Sequence, residues 1–233
     1  MEFTNYIFDL YGTLVDIHTD ESRPEFWQKM AGWYASYGAD WTGEELQKAY
    51  LAMVREEEEK LGALIGSAYP EIRLETVFMR LLKESPTRHT SKQKPRGIRS
   101  DSAWVRATAT MFRVLSRDRL RCFDGVPEML QGLKNQGKRV FLLSNAQSVF
   151  TMPELEQCGI ADCFDGIYIS SDRGIKKPEP RFLQQLMEEH ELAPDETVMI
   201  GNDPDTDMAV ARSCGMHGIL VSSDGSDLLR LVP

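Results

Sequence analysis

The sequence is poor in the residues that staple or anchor a chain. It has only four cysteines in 233 residues, Cys122, Cys158, Cys163 and Cys214, scattered and without the tight spacing of a metal site. That excludes a disulfide scaffold, and the pattern reads as buried free thiols in a reducing, cytoplasmic setting. No apolar run approaches the length that spans a bilayer. Glu2 stands where a secretory leader would carry positive charge, so no signal peptide is expected. Positive charge is in deficit: 27 Lys and Arg against 36 Asp and Glu, a formal net charge of -9. That balance argues against a dedicated binder of nucleic acid or of an anionic membrane, and a small-molecule partner is expected instead. What remains is ordinary for a globular chain, with 42% hydrophobic and 27% charged residues, enough for one large domain or a core plus an insert. The oligomeric state cannot be read from it.

The chain is organised around Asn5-Tyr6-Ile7-Phe8-Asp9-Leu10-Tyr11-Gly12-Thr13. An apolar run of this kind is a buried parallel strand, and it stops at a carboxylate. Gly12 permits a tight turn, and Thr13 brings a hydroxyl and an amide suited to an anion. A carboxylate at the C-terminal end of a buried strand sits where open α/β sheets hold their ligands. By itself Asp9 is as readily a strand terminator.

Past Asp16 the pattern changes. Phe26, Trp27, Met30, Trp33, Tyr34 and Tyr37 recur at helical spacing, and Gly38 ends that helix. Thr42 and Glu45 frame a capping box for a second helix, carrying an acidic run at 56–59 that reads as a solvated face. A third helix is expected over 70–84 and a fourth over 101–116. Between them, Arg88, Lys92, Lys94, Arg96, Arg99 and His89 make a basic segment without an acid. It reads as a surface loop, with recruitment of an anion as the alternative. From Cys122 onward strands and helices alternate: helices at 126–137, 153–159, 180–191 and 205–214, and strands at 139–143, 166–170, 197–200 and 218–221. Such alternation implies a parallel sheet covered on both faces. The roughly hundred mostly helical residues after the first strand are too many for a loop. The expected architecture is therefore a three-layer α/β core (1–16 and 118–233) with an inserted helical domain (17–117) placed as a cap over the strand ends.

The polar groups at successive strand ends are Asp9 with Thr13, Ser144 with Asn145, Lys177, and Asp203 with Asp207. In a parallel sheet these ends face one crevice. Clustered carboxylates repel unless a cation sits among them, and oxygen ligands of this kind suit Mg²⁺. Ser144 and Lys177 are placed to hold an anion, and Asp9 to attack phosphorus or carbon.

The segments Asp9-Leu10-Tyr11-Gly12-Thr13, Leu143-Ser144-Asn145, Lys177-Pro178-Glu179-Pro180 and Asp203-Pro204-Asp205-Thr206-Asp207 together resemble the haloacid dehalogenase superfamily of aspartate-nucleophile hydrolases. The resemblance covers essentially the whole chain. It implies a Rossmann-like core, a four-helix cap after the first motif, Asp9 as nucleophile, and Ser144 and Lys177 as binders of the transferring group. Lys177, which directly precedes the proline, matches the family's lysine better than Lys176, expected to be a solvent-facing neighbour. The chain departs from the family's phosphatases at Tyr11, where they carry a second aspartate that protonates the leaving group. The family's 2-haloacid dehalogenases carry tyrosine there. The acidic pair Asp203 and Asp207 resembles instead the Mg²⁺-dependent phosphatases, and Phe182 and Leu183 stand where a dehalogenase shows a tyrosine. Arg55 is the nearest candidate for the dehalogenase arginine. Three carboxylates against Lys177 favour a metal and disfavour expulsion of an anion without one. The expectation is a Mg²⁺-dependent phosphatase of a small anionic metabolite, the metal lying between Asp9, the Tyr11 carbonyl and Asp203, with Asp207 orienting Lys177 or a water. The alternatives are a 2-haloacid dehalogenase, motivated by Tyr11, and a weakly active ligand-binding protein, motivated by the missing acid. His18, Arg23 and Trp27 are candidates for substrate contact from the insert, and each reads first as a structural or surface residue.

Overall fold

A computed structural model describes residues 3–86 and 97–231. The chain divides into two compact units. The first is Met1–Ile17, Ile65–Glu71 and Arg119–Pro233; the second is His18–Leu64 and Ile72–Asp118.

The first unit is built on a five-stranded sheet of β1 (Asn5–Phe8), β4 (Arg139–Ser144), β5 (Gly166–Ile169), β6 (Thr197–Gly201) and β7 (His217–Leu220), in the order β5-β4-β1-β6-β7. Every neighbouring pair is parallel, with Phe8 level with Leu142 on one side and Ile200 on the other. Period-two alternation sends the two faces of β1 into two cores. Tyr6 and Phe8, with Val140, Leu142, Val198 and Ile200, pack against Val126, Met129, Leu130 and Leu133 of α5 (Val126–Asn135) and Leu155 of α6 (Ser148–Gln157). Ile7, with Phe141, Leu143 and Met199, packs against Phe182, Leu183 and Leu186 of α8 (Pro180–Glu189) and Val210 and Ala211 of α9 (Asp207–Ser213). This is a three-layer α/β architecture. A fully buried side chain of this kind contributes about 1.5–3 kcal/mol relative to its exposed state.

The second unit contains α1 (Pro24–Ala35), α2 (Gly43–Ile65, up to Leu64), α3 (Leu74–Lys83) and α4 (Ala103–Ser116). Its core is aromatic: Phe26 and Trp27 meet Phe112 edge-on, and Tyr50 stacks on Phe78. Trp27 is buried, its indole N–H donating to the Glu21 carbonyl, and Arg23 donates to the carbonyls of Leu115 and Ser116. The capping box forms as read, Thr42 Oγ1 accepting from the Glu45 N–H and Glu45 from the Thr42 N–H. Part of the acidic run is paired: Arg80 binds Glu56 and Glu57 of α2 as well as Glu84. Arg88, His89, Lys92, Lys94 and Arg96 lie outside the described residues; Arg99 pairs with Asp101.

The structure corrects several expectations. A two-stranded ribbon of β2 (Val15–Thr19) and β3 (Arg117–Cys122) was not foreseen. Its strands lie far apart in sequence, and Asp16 ties them by pairing with Arg119 and Arg121. Residues 65–71, expected in the insert, join the α/β unit: Tyr69 O accepts from the Lys176 N–H, Glu71 N–H donates to the Gly174 carbonyl, and Gln147 donates to Glu71. Helix α6 starts at Ser148, five residues before the proline expected to open it, and contains Pro153. The missing backbone donor is tolerated because Phe150, Thr151, Glu154 and Leu155 are buried by the helix continuing. The four cysteines form no disulfide and are half-buried. No described helix is long and apolar enough to cross a membrane.

Candidate active site

The ends of β1, β4 and β6 enclose a cavity of about 190 Å³ lined by Asp9, Tyr11, Ser144, Asn145, Lys177, Asn202, Asp203, Thr206 and Asp207. Of the strand-end and motif residues expected to form the site, Thr13 alone is absent from this lining, and His18, Arg23 and Trp27 do not line it either. Thr13 is buried behind it, its hydroxyl 3.0 Å from Asn202 Oδ1 and 3.4 Å from Asp9 Oδ2. Position follows from the sheet. Asp9 is the first residue beyond β1, its N–H bonded to the Ile200 carbonyl at 2.9 Å, and Ser144 is the last residue of β4. Two glycines shape the floor. Gly12 takes φ +80°, and a Cβ there would lie 2.7 Å from Asn202. A Cβ on Gly201 would lie 2.2 Å from Asp207 Oδ2. Asp207 therefore occupies the space that a side chain at 201 would fill.

Lys177 is the hub. Its Nζ, 2% exposed, lies 2.7 Å from Asp9 Oδ1, 2.7 Å from Asp207 Oδ1 and 2.8 Å from the Leu143 carbonyl. An ammonium has three protons, and these three acceptors take them all. Asn145 brackets the same residue from behind: its Oδ1 accepts from the Lys177 N–H at 2.8 Å and its Nδ2 donates to the Lys177 carbonyl at 3.0 Å. Asn145 thus positions the lysine. Asp207 is committed too, its Oδ2 accepting the Asp203 N–H at 3.0 Å. Asp203 Oδ1 accepts from the N–H groups of Asp205 and Thr206. Lys176 is not simply solvent-facing: its ammonium lies 3.7 Å from Glu71.

Burial pushes the Asp9 carboxyl up to about 6, against the pull of Lys177 and with the Asp207 charge adding to the rise. Burial pulls the Lys177 ammonium down, but Asp9 and Asp207 outweigh it and hold it above its ordinary value. Ser144 is 1% exposed, and its Oγ has no hydrogen-bond partner among the described residues. A buried hydroxyl left unpaired costs about 1–3 kcal/mol, so it marks a place where a ligand is expected to complete the bonding.

The donor set fits a hard cation. Asp9, Asp203 and Asp207 set three carboxylates against one ammonium, and burial raises Asp9 despite that ammonium. Among the described residues no three His, Cys, Asp or Glu side chains are grouped to hold a metal on their own. A divalent ion here would draw on Asp9 and Asp203 with backbone, water or substrate oxygen. Both oxygens of Asp207 are already engaged, which leaves it an orienting role.

Tyr11 departs from expectation in where its hydroxyl goes. The phenol donates to Glu154 Oε2 and lies 3.2 Å from Thr151 Oγ1, both buried residues of α6 and neither part of the cavity lining. Sequence reading missed Glu154, Asn202 and Gly201. Only the acid at 154, on a helix face with Phe150, left any sign. His18 is exposed and pairs with Asp118.

The family model of haloacid dehalogenase-like hydrolases matches residues 4–215, and the chain belongs to that family of enzymes. Glyceraldehyde 3-phosphate phosphatase of Methanothermobacter thermautotrophicus is 31% identical over 105 residues, 45% of this chain and 46% of its own length. Phosphoglycolate phosphatase of Nitrosococcus oceani is 33% identical over 117 residues, 48% of this chain and 52% of its own. The chain spans about half the length of these curated relatives. A haloacid dehalogenase family enzyme of Bacteroides thetaiotaomicron shares the fold over 100% of both chains, with a TM-score of 0.62 at 19% identity.

Proposed function

We propose that the protein is a phosphohydrolase that acts on a small phosphorylated metabolite through an aspartyl-phosphate on Asp9. The observation that carries this reading is the buried, unpartnered Ser144 hydroxyl in the same cavity as an Asp9 carboxylate held by Lys177. Asp9 offers a carboxylate oxygen to phosphorus. Lys177, locked by Asp207 and bracketed by Asn145, keeps that carboxylate oriented and sets a positive charge beside the transferring group, while Ser144 offers a donor to one of that group's oxygens. Thr13, fastened to Asn202, holds the turn after the nucleophile. Mg²⁺ fits as the cofactor, held by Asp9, Asp203 and the Tyr11 carbonyl, and would supply charge neutralisation for the incoming phosphate. The names of the curated relatives support the phosphatase class. Cysteines without a disulfide suit a reducing cytoplasm.

The identity of Tyr11 favours a second reading, a 2-haloacid dehalogenase. Against it stand three carboxylates in the cavity from which a halide would have to leave. The test is a panel of phosphate compounds with Mg²⁺ or with chelator, wild type beside Asp9→Asn. Phosphate release that needs both the metal and Asp9 is expected. Release by Asp9→Asn at the wild-type rate overturns the mechanism. Asp9-dependent halide release from a 2-haloacid, indifferent to chelator, supports the dehalogenase instead. Ligand binding with no turnover of either kind supports a binding protein.

A further inference from the structure

We propose that the site is built for activated phosphates, such as acyl, enol or aryl phosphates, and discriminates against phosphate esters of simple alcohols. The inference rests on the phosphohydrolase reading and deepens it, and it comes from an account of every proton in the cavity.

An alkoxide is a poor leaving group, and its departure is normally assisted by a proton from a positioned acid, an assistance of typically 10²–10⁴-fold. Among the described residues the cavity lining supplies no such acid. The three protons of Lys177 are spent on Asp9, Asp207 and the Leu143 carbonyl. Both oxygens of Asp207 accept from an N–H group or from Lys177, which is the bonding of a carboxylate rather than of a carboxylic acid, and Asp203, its Oδ1 accepting two N–H groups, would serve as a ligand of the cation on the same reading. Asp9 is the nucleophile. Asn145 and Asn202 are amides, and Ser144 and Thr206 alcohols, none able to give up a proton at neutral pH. There remains the phenol of Tyr11, two residues past the nucleophile. Its single proton is given to Glu154, with Thr151 alongside, and both partners belong to α6 outside the lining. The residue best placed in sequence to serve the leaving group is fastened to a helix of the core.

The step such a site performs needs no acid. An Asp9 oxygen forms a bond to phosphorus while the bond from phosphorus to the leaving oxygen breaks, and the electron pair departs with that oxygen as a stabilised anion: a carboxylate, an enolate or a phenolate. Water then attacks phosphorus. The bond from phosphorus to Asp9 breaks with return of the carboxylate, and the water's protons go to the released phosphate and to solvent. Atoms and charge balance without a donor in the first step.

The test is kcat/KM for acetyl phosphate, a series of aryl phosphates of graded phenol acidity, and glycerol phosphate, each with Mg²⁺, for wild type and Asp9→Asn. The expected result is a steep fall as the leaving group becomes more basic, with acetyl and nitrophenyl phosphates ahead of glycerol phosphate by about 10²-fold or more. A double variant, Tyr11→Asp with Glu154→Gln, puts a carboxyl at the leaving-group side without leaving two acids side by side. It is expected to shrink that ratio by about 10²-fold or more. Glycerol phosphate turned over as fast as the aryl esters by wild type, in an Asp9-dependent way, overturns the proposal while leaving the phosphohydrolase standing. A flat aryl series does the same. No Asp9-dependent phosphate release from any compound, acetyl phosphate included, overturns both. If the double variant does not fold, the wild-type series alone decides.

Discussion

Replacing Gly201 by alanine puts the three-residue latch of the site under a load that can be worked out from distances. The added Cβ would lie 2.2 Å from Asp207 Oδ2 and 2.3 Å from its Cγ, on buried ground with nowhere to expand. Reaching even 3.0 Å requires the carboxylate to retreat by about 0.8 Å, the difference from the 2.2 Å contact. Asp207 cannot retreat freely. Its Oδ1 holds Lys177 at 2.7 Å and its Oδ2 holds the Asp203 N–H at 3.0 Å. Overpacking of this size costs about 1–3 kcal/mol. Weakening one partner of a buried ion pair adds to that, up to about 3–5 kcal/mol if the contact is lost, with Asp9 still on Lys177 to blunt it. A total of about 2–5 kcal/mol is expected, a fall of roughly 4–20 °C in the melting temperature of the α/β unit at about 2–4 °C per kcal/mol. The assay is calorimetry beside Gly132→Ala as control, since a Cβ at Gly132, inside α5, meets nothing within 4 Å. The control should gain about 0.4–1 kcal/mol from the lower entropy of its unfolded chain. If Gly201→Ala melts with wild type, Asp207 is not wedged against residue 201 and the latch as described is wrong.

Ser144→Ala should leave stability unchanged or raise it by up to about 1–3 kcal/mol, because it removes a buried hydroxyl without a partner, while turnover falls; a melting temperature lowered by several degrees would refute the assignment. Tyr11→Phe and Glu154→Gln should couple in a double-mutant cycle by about 0.5–3 kcal/mol in stability, and additivity would break the contact. Arg80→Ala should loosen the helical unit by about 1 kcal/mol, more at low salt, as read by circular dichroism. Arg80 also holds the Glu84 carboxyl below its ordinary 4.5, so the stability it adds is present above that value and is lost as the pH falls through the lowered one; the Arg80→Ala protein should show a shallower acid loss in a pH-dependent melt.

The parts of the molecule that were legible are those written in local pattern. The apolar runs at 5–8, 139–143 and 197–200 became adjacent parallel strands because continuous apolar sequence needs cover on both faces, and the two cores around β1 supply it. The polar residues one step beyond those runs met in one cavity because parallel strands end on the same side. What stayed hidden depends on partners distant in sequence. Asp16 finds Arg119 and Arg121 across more than a hundred residues, and nothing in the run of charge at 117–121 announces a strand. Pro153 reads as a helix start by local rule, yet burial of Phe150 and Thr151 outweighs the lost hydrogen bond and starts α6 earlier. Residues 65–71 read as insert because they follow a helix, but their backbone bonds go to the segment just before Lys177. In sequence Asn145 is one more polar group at a strand end facing the crevice, and only geometry reveals that both ends of its amide are spent on Lys177.

Tyr11 shows how a parallel α/β site absorbs a change of chemistry. The catalytic frame is held by backbone and by buried charge: Asp9 by the sheet, Lys177 by Asp207, Asn145 and the Leu143 carbonyl. None of those bonds passes through the side chain at 11. A residue there can therefore change from acid to phenol without disturbing the nucleophile, provided the new hydroxyl finds an acceptor, since a buried donor left alone costs about 1–3 kcal/mol. Glu154 is that acceptor, and the dependence runs both ways, because a buried carboxylate at 154 needs a donor as much as the phenol needs an acceptor. The pair is thus a unit of α6 and the first loop. On the function proposed above, it exchanges proton delivery at the site for a bond in the core, and would confine the chemical step to leaving groups that depart without help.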